Sequence, residues 1–150
     1  MDALVFRLDR SRYGLPLESV VEVLPAVALT PLPKAPAIVE GVIDLRGRVV
    51  PVLDIRSRFR LPARPMDVAD HLIVARAGGR TVAIRADEAI DLVRLEAPDV
   101  EPLDPVVPGA AYVAGVARTA DGLVLLHDLL TFLTRAESDD LDRALAEGDA

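Results

Sequence analysis

An all-β protein built from two similar small lobes is what this sequence predicts, and three observations carry it. Short runs rich in Val, Ile and Leu alternate apolar and polar residues at period two. Twelve prolines and nine glycines punctuate those runs. The second half of the chain also repeats the first.

In chain order, strands are expected at Leu4–Leu8, Tyr13–Leu17, Val20–Leu24, Gly41–Asp44 and Val49–Leu53. The second set is Leu72–Ala75, Thr81–Arg85, Ile90–Leu95, Tyr112–Ala117 and Leu123–His127. Leu45-Arg46-Gly47-Arg48 and Ala77-Gly78-Gly79-Arg80 read as hairpin turns, with Gly47 free to take a positive φ. Pro31–Pro36 is a stiff connection. Residues 98–109, with four prolines, read as a long surface loop. Helical signal is weak. One turn is expected at Asp54–Phe59 with Asp54 as N-cap, and another at Asp128–Thr134. Leu141 and Leu145 stand at i, i+4, which predicts a short C-terminal helix over Asp139–Glu147, capped by Asp140 and fraying after Gly148.

Tyr13–Leu24 aligns without gaps on Val82–Val93, an offset of 69. Gly41-Val42 then matches Gly115-Val116 and Asp54 matches Asp128, an offset of 74. The turn at Thr119–Gly122 reads one residue short against the first, because Gly47 and Gly122 are out of step. Residues 1–150 are expected to form a single domain. Its lobes are placed at 1–66 and 67–134, with 60–70 as hinge and 135–150 as an acidic helix and tail. Neither lobe has enough chain to be stable alone, so a third apolar layer between them is expected.

At 150 residues, with 51% hydrophobic and 27% charged residues, the composition is that of a globular chain. It needs no disulfide or metal staple. With no cysteine, a disulfide, a thiolate nucleophile and a Cys-ligated metal are excluded. The net charge of −7 argues against nucleic-acid binding and against an anionic membrane surface. Six acids and two arginines lie between Arg135 and Ala150, so the tail holds −4 and the body only −3. No run of apolar residues is long enough to insert in a membrane, and no signal peptide opens the chain, so the cytoplasm is the expected location. Sixteen of the 17 basic residues are Arg, a bias that reads as base composition.

Catalytic constellations are sparse. Asp54 and Asp128 occupy equivalent places, which raises an acid-based hydrolase as a remote alternative. Asp54-Ile55-Arg56 and Asp128-Leu129-Leu130 lack the small residues that chemistry needs, and N-capping accounts for both acids better. Phosphate-loop and Gly-x-Ser-x-Gly patterns are missing. His71 and His127 have no neighbouring ligand or base and read as structural. No cofactor is expected.

Several stretches together resemble the CheW-like family of chemotaxis coupling proteins. Phe6-x-Leu8, Tyr13–Glu18 and Val20–Leu24 match its opening, and Leu32-Pro33-x-Ala35-Pro36 its proline-rich loop. Gly41–Pro51 through Asp54, with Arg46-Gly47 at its centre, is the most specific part. Asp87–Val93 and Tyr112 through Leu130 carry the second half, so residues 3–134 are covered.

The resemblance implies two SH3-like five-stranded β barrels and no enzymatic activity. It implies an adaptor between the tip of methyl-accepting chemoreceptors and the regulatory domain of a CheA-type histidine kinase, recruited to membrane receptor arrays. A related pathway controlling pili or gene expression is the alternative wiring. Carried across by position, the partner-binding residues are Leu17, Val20, Glu22, Gly41, Arg46 and Leu72. Glu22 and Arg46 are expected to approach each other and hold the binding surface in shape. Leu17 and Leu72 fit a groove lining and a plain core position equally. His127 stands where the family usually has an aliphatic residue.

Overall fold

The computed structural model describes the chain apart from residues 97, 98, 108, 129, 130, 132, 149 and 150, and without the side chains of Ile90 and Gly148. Eleven strands are described: β1 (Asp2–Leu8), β2 (Ser11–Pro16), β3 (Val20–Pro25), β4 (Val39–Leu45), β5 (Arg48–Leu53) and β6 (His71–Ala77), then β7 (Arg80–Ala86), β8 (Glu88–Arg94), β9 (Val100–Glu101), β10 (Val113–Thr119) and β11 (Gly122–His127). One α-helix, α1 (Arg135–Gly148), follows. The all-β expectation holds. β9, inside the stretch read as a loop, is an addition.

The strands form two sheets, in the orders β8-β1-β2-β11-β10-β9 and β3-β6-β7-β5-β4. Each sheet curls back on itself. Thr30, beyond β3, bridges Val42 of β4 through bonds of 2.8 and 2.9 Å. β9, beyond β8, pairs with β10 in the same way. Counting β9 separately gives that sheet six strands where five were expected.

The repeat is real down to its register. Val20↔Ala75 and Glu22↔Val74 flank a bulge, and 69 residues on Ala89↔Phe6 and Asp91↔Val5 flank its counterpart. The parallel pairs Val52↔Ala83 and Leu126↔Gly14 are likewise equivalent. The turn expected to be one residue short is not. Leu45↔Arg48 and Thr119↔Gly122 close loops of the same length, and the second glycine has moved to the strand end, at φ 117°.

The lobes are not consecutive halves of the chain, which corrects the 1–66 and 67–134 boundaries. The hairpin β1–β2 joins the sheet of the second repeat, and β6–β7 joins that of the first. The chain changes sheet at the 3-10 turn Leu17–Ser19 and again at Asp87. A repeat defines the unit but leaves open which sheet its hairpin completes.

Burial explains why the exchange is stable. Ala3, Val5, Ala117 and Val124 fill one barrel, and Ile43, Val50, Leu72 and Val74 the other. The opposite faces of the exchanged hairpins (Leu4, Phe6, Leu15, Ile73, Ile84) meet between the barrels as the expected third layer. Strands buried on both faces read as continuous apolar runs, as Leu72–Ala75 does. Phe6, Tyr13, Phe59 and Tyr112 thread this layer, with successive ring centroids 5.8, 4.6 and 6.5 Å apart.

The turn at Asp54 forms as expected. The Arg56 N–H donates to Asp54 Oδ1 at 3.0 Å and caps the 3-10 turn Ile55–Phe59. The second turn, expected at Asp128–Thr134, lies largely outside the described residues, as does the fraying after Gly148. α1 begins earlier than expected, and Asp140 does not cap it. Thr134 Oγ1 accepts from the Glu137 N–H at 3.1 Å, and the Glu137 carboxylate accepts from the Thr134 N–H at 2.9 Å. This capping box was legible as Thr134-x-x-Glu137 and was missed.

Gly41 lies at the barrel closure. A Cβ there would stand 2.7 Å from the Thr30 carbonyl oxygen and 3.0 Å from Leu29 Cβ. Gly41→Ala is expected to cost about 1–3 kcal/mol, the range for overpacking a tight site. Urea denaturation checks this, and an unchanged midpoint would mean that the Thr30 segment yields freely.

Candidate functional site

The β4–β5 hairpin ends in a two-residue turn with φ of 52° at Arg46 and 84° at Gly47. Positive φ at both positions is the hairpin geometry that matches strand twist. The Gly47 N–H donates to Asp44 Oδ1 at 2.8 Å and pins the turn. From it Arg46 reaches Glu22 on β3, the opposite edge of the same sheet. Its Nη1 and Nη2 donate to Glu22 Oε1 and Oε2 at 2.6 and 3.1 Å. The expected approach of these two residues is therefore a two-bonded fork. The bonds from Arg46 hold the Glu22 carboxyl below its ordinary value, and Glu22 raises Arg46 in return. The pair is open to solvent, so it orients the turn more than it stabilises the fold.

Val21 and Val23 on β3 and Val49 on β5 are exposed apolar side chains on the strands that carry this pair. Val20 is half-buried against the middle layer, and Leu17 is half-buried in the 3-10 turn between β2 and β3. Leu72 corrects the groove expectation. It is fully buried inside a barrel with Ile43, Val50 and Val52, so it cannot meet a partner. Gly41 is buried too and keeps the barrel closed. The second repeat places Asp91 and Ala120 where the first has Glu22 and Arg46. The bidentate pair thus belongs to one lobe only.

Behind this surface lies a buried charge network that sequence reasoning missed. Arg56 and Arg85 are each 3% exposed and Asp70 is 2% exposed. Arg56 pairs with Asp9, donates to Asp87 Oδ1 at 2.9 Å and donates to the Pro62 carbonyl at 2.8 Å. Arg64 donates to Asp70 Oδ1 at 2.7 Å and Asp87 Oδ1 at 2.5 Å. Arg85 donates to Asp54 Oδ2 at 3.0 Å and the Arg64 carbonyl at 2.8 Å, and its Nε lies 2.7 Å from Glu40 Oε1. Burial raises Asp70 and Asp87, but their hydrogen bonds win and hold both below the ordinary range. The arginine bias therefore has a structural use, since a planar guanidinium serves several oxygens at once. Their only trace in the sequence is isolated charges within apolar stretches.

Asp54 is committed at both oxygens, to the Arg56 N–H and to Arg85. Asp54 and Asp128 follow β5 and β11, which belong to different sheets. His127 is buried, with its ring edge-on to Phe59 at 5.8 Å. His71 is half-buried, and its Nδ1 accepts from the Ala89 N–H at 3.4 Å. Among the described residues no helix is long and apolar enough to cross a membrane.

A half-buried group, Glu40, and a buried one, His127, give opposite pH dependences. Burial, aided by the Asp54 charge and opposed by Arg85, raises Glu40 from 4.5 to about 7. The folded chain then holds a proton that the unfolded chain has lost, so stability falls as pH rises from 4.5 to 7. Burial lowers His127 from 6.5 to about 4, so stability rises with pH across 4 to 6.5. Near pH 5.5 the two nearly cancel. Glu40→Gln is expected to unmask the rising limb, with a slope of up to about 1.4 kcal/mol per pH unit. Denaturation midpoints measured from pH 4.5 to 6.5 check it, and a slope unchanged from the parent would remove Glu40 from the account.

The comparisons with known proteins agree with this fold. The CheW-like domain matches residues 2–137. The chain is similar to Chemotaxis protein CheW of Klebsiella aerogenes, 28% identical over 89% of this chain and 82% of the relative. It is similar to Protein FrzA of Myxococcus xanthus, 36% identical over 85% of this chain and 79% of the relative. The crystal structure of scaffolding protein TtCheW from Thermoanaerobacter tengcongensis superposes with a TM-score of 0.83 at 28% identity, covering 91% of this chain and 89% of that one. The two curled sheets, the family match over nearly the whole chain and these relatives establish that the chain belongs to the CheW-like domain family.

Proposed function

We propose that this protein is a non-enzymatic adaptor of a chemosensory array. It couples the cytoplasmic tip of methyl-accepting chemoreceptors to the regulatory domain of a CheA-type histidine kinase in bacterial chemotaxis. It acts in the cytoplasm and is recruited to membrane receptor arrays through those partners. The observation that carries the reading is the Glu22–Arg46 fork. It displays a fixed charge pattern on the strands that expose Val21, Val23 and Val49. A helical receptor tip offers an apolar stripe with polar flanks, which such a surface fits. Val20 and Leu17, half-buried at the start of β3, border the apolar part. Gly41 serves the surface indirectly, by keeping the barrel that bears it closed.

A second wiring is compatible with the same family membership. There the same adaptor mechanism serves a related chemosensory pathway, one that controls pili or gene expression.

A pull-down from native lysate tests the reading. The parent chain is expected to recover a chemoreceptor and a CheA-type kinase. Arg46→Glu places two carboxylates face to face and is expected to reduce recovery about tenfold with the melt still cooperative. The exchange variant Glu22→Arg with Arg46→Glu should regain part of the loss. Recovery of a different kinase would move the pathway and keep the mechanism. Recovery of neither partner by the folded parent chain would overturn the proposal.

A further inference from the structure

α1 is attached differently from everything else in the fold. Among the described residues no backbone hydrogen bond ties it to a sheet. Its apolar anchorage is narrow: Leu141 and Ala144 are buried and Leu145 half-buried against the middle layer. The rest of its hold comes from a hydrogen bond from Arg80 to Ser138 Oγ at 3.3 Å and from ion pairs. Glu137 pairs with Arg58 of the 3-10 turn after β5, and Asp142 with Arg80 at the start of β7. Glu147 lies 3.1 Å from Lys34, in the proline-rich loop and the only lysine of the chain. Arg58 is itself held 4.9 Å above the Tyr112 ring, so that cation is in place whatever α1 does. One flank of the helix is not packed. A cleft of about 790 Å³ separates it from β5 and the β6–β7 hairpin, lined by Arg48, Pro51, Arg80, Thr81, Arg135 and Asp142.

In a chain of net charge −7, three basic groups from three separate elements converge on one apolar seat. We propose that this seat is an interaction surface for an acidic amphipathic helix of a partner, and that α1 is its built-in competitor. The occupant is specified by α1: two leucines at i, i+4 facing the seat, with carboxylates on both sides. Charge complementarity selects it, because a basic helix would set cations against Arg58, Arg80 and Lys34, and a neutral one would leave the ion pairs at Arg80 and Lys34 unmade. α1 can leave without breaking a sheet bond, so its release is a local opening below the global stability. Salt weakens the exposed pairs and so favours that release.

The test uses the full chain and a fluorescein-labelled peptide with the sequence of residues 134–148. Hydrogen exchange in the parent chain is expected to show α1 amides opening about tenfold or more faster than those of β6 and β7. The double variant Glu137→Gln, Asp142→Asn keeps Leu141 and removes two pairs. It is expected to accelerate α1 exchange alone and to bind the peptide about tenfold more tightly than the parent, whose own α1 occupies the seat. A peptide with its acids changed to lysine should not bind. The proposal is overturned if α1 amides exchange only with the sheets, if the acidic peptide prefers neither chain, or if the lysine peptide binds equally. Should the double variant lose its cooperative melt, the parent chain at 0.05 and 0.5 M salt decides. There, an exchange ratio between α1 and β6–β7 that does not move with salt overturns the proposal.

Discussion

The two exchanged hairpins, β1–β2 and β6–β7, have no free face. One side of each fills a barrel and the other fills the layer between barrels. Everything else in the molecule follows from that double burial. Each barrel is incomplete without a hairpin from the other repeat. The three apolar layers behave as one core. This is how 150 residues sustain two small barrels, each too short of chain to be secure alone.

The exchange also dictates where charge must be buried. At the second crossing, Asp87 lies between β7 of one sheet and β8 of the other. Its carboxylate accepts from Arg56 and Arg64 and from the Asp9 N–H at 2.7 Å. A carboxylate held this way has its direction defined by fixed donors, so the crossing has one geometry. Such a network adds little to net stability compared with apolar packing, but losing one member costs about 3–5 kcal/mol because a charge is stranded. At the first crossing the equivalent residue, Glu18, is exposed. The lobe next to that crossing is the one with the Glu22–Arg46 fork.

Pseudo-symmetry followed by its local loss is what gives the molecule two different ends. The backbone registers match at offsets of 69 and 74, bulge for bulge. Side chains then diverge at the positions that face solvent: Glu22 against Asp91, Arg46 against Ala120. The two lobes thus present different side chains to solvent on a shared backbone plan. α1 adds a third difference. It covers the middle layer with an apolar face flanked by acids.

The strands, the hairpin turns and the repeat were legible because each rests on a local rule. Alternation at period two, Arg46-Gly47 and Gly78-Gly79 turn chemistry and the Asp54 cap all act within a few residues. The Glu22–Arg46 pair was legible only through family resemblance, since 24 residues separate the partners. The capping box at Thr134 is present in the sequence as Thr134-x-x-Glu137, upstream of the Leu141–Leu145 spacing that predicts the helix. Leu72 and Gly41 show the limit of carrying positions across: both matter, one inside a barrel and one at its closure, and neither reaches the surface. By itself the sequence determined which segments are strands, how they turn and that they recur. Tertiary structure alone decided that the hairpins change partners, that Arg56 and Arg85 are buried among carboxylates, and which apolar residues remain outside. Those choices depend on long-range burial and desolvation, which sum over the whole fold and leave no periodic trace in the chain.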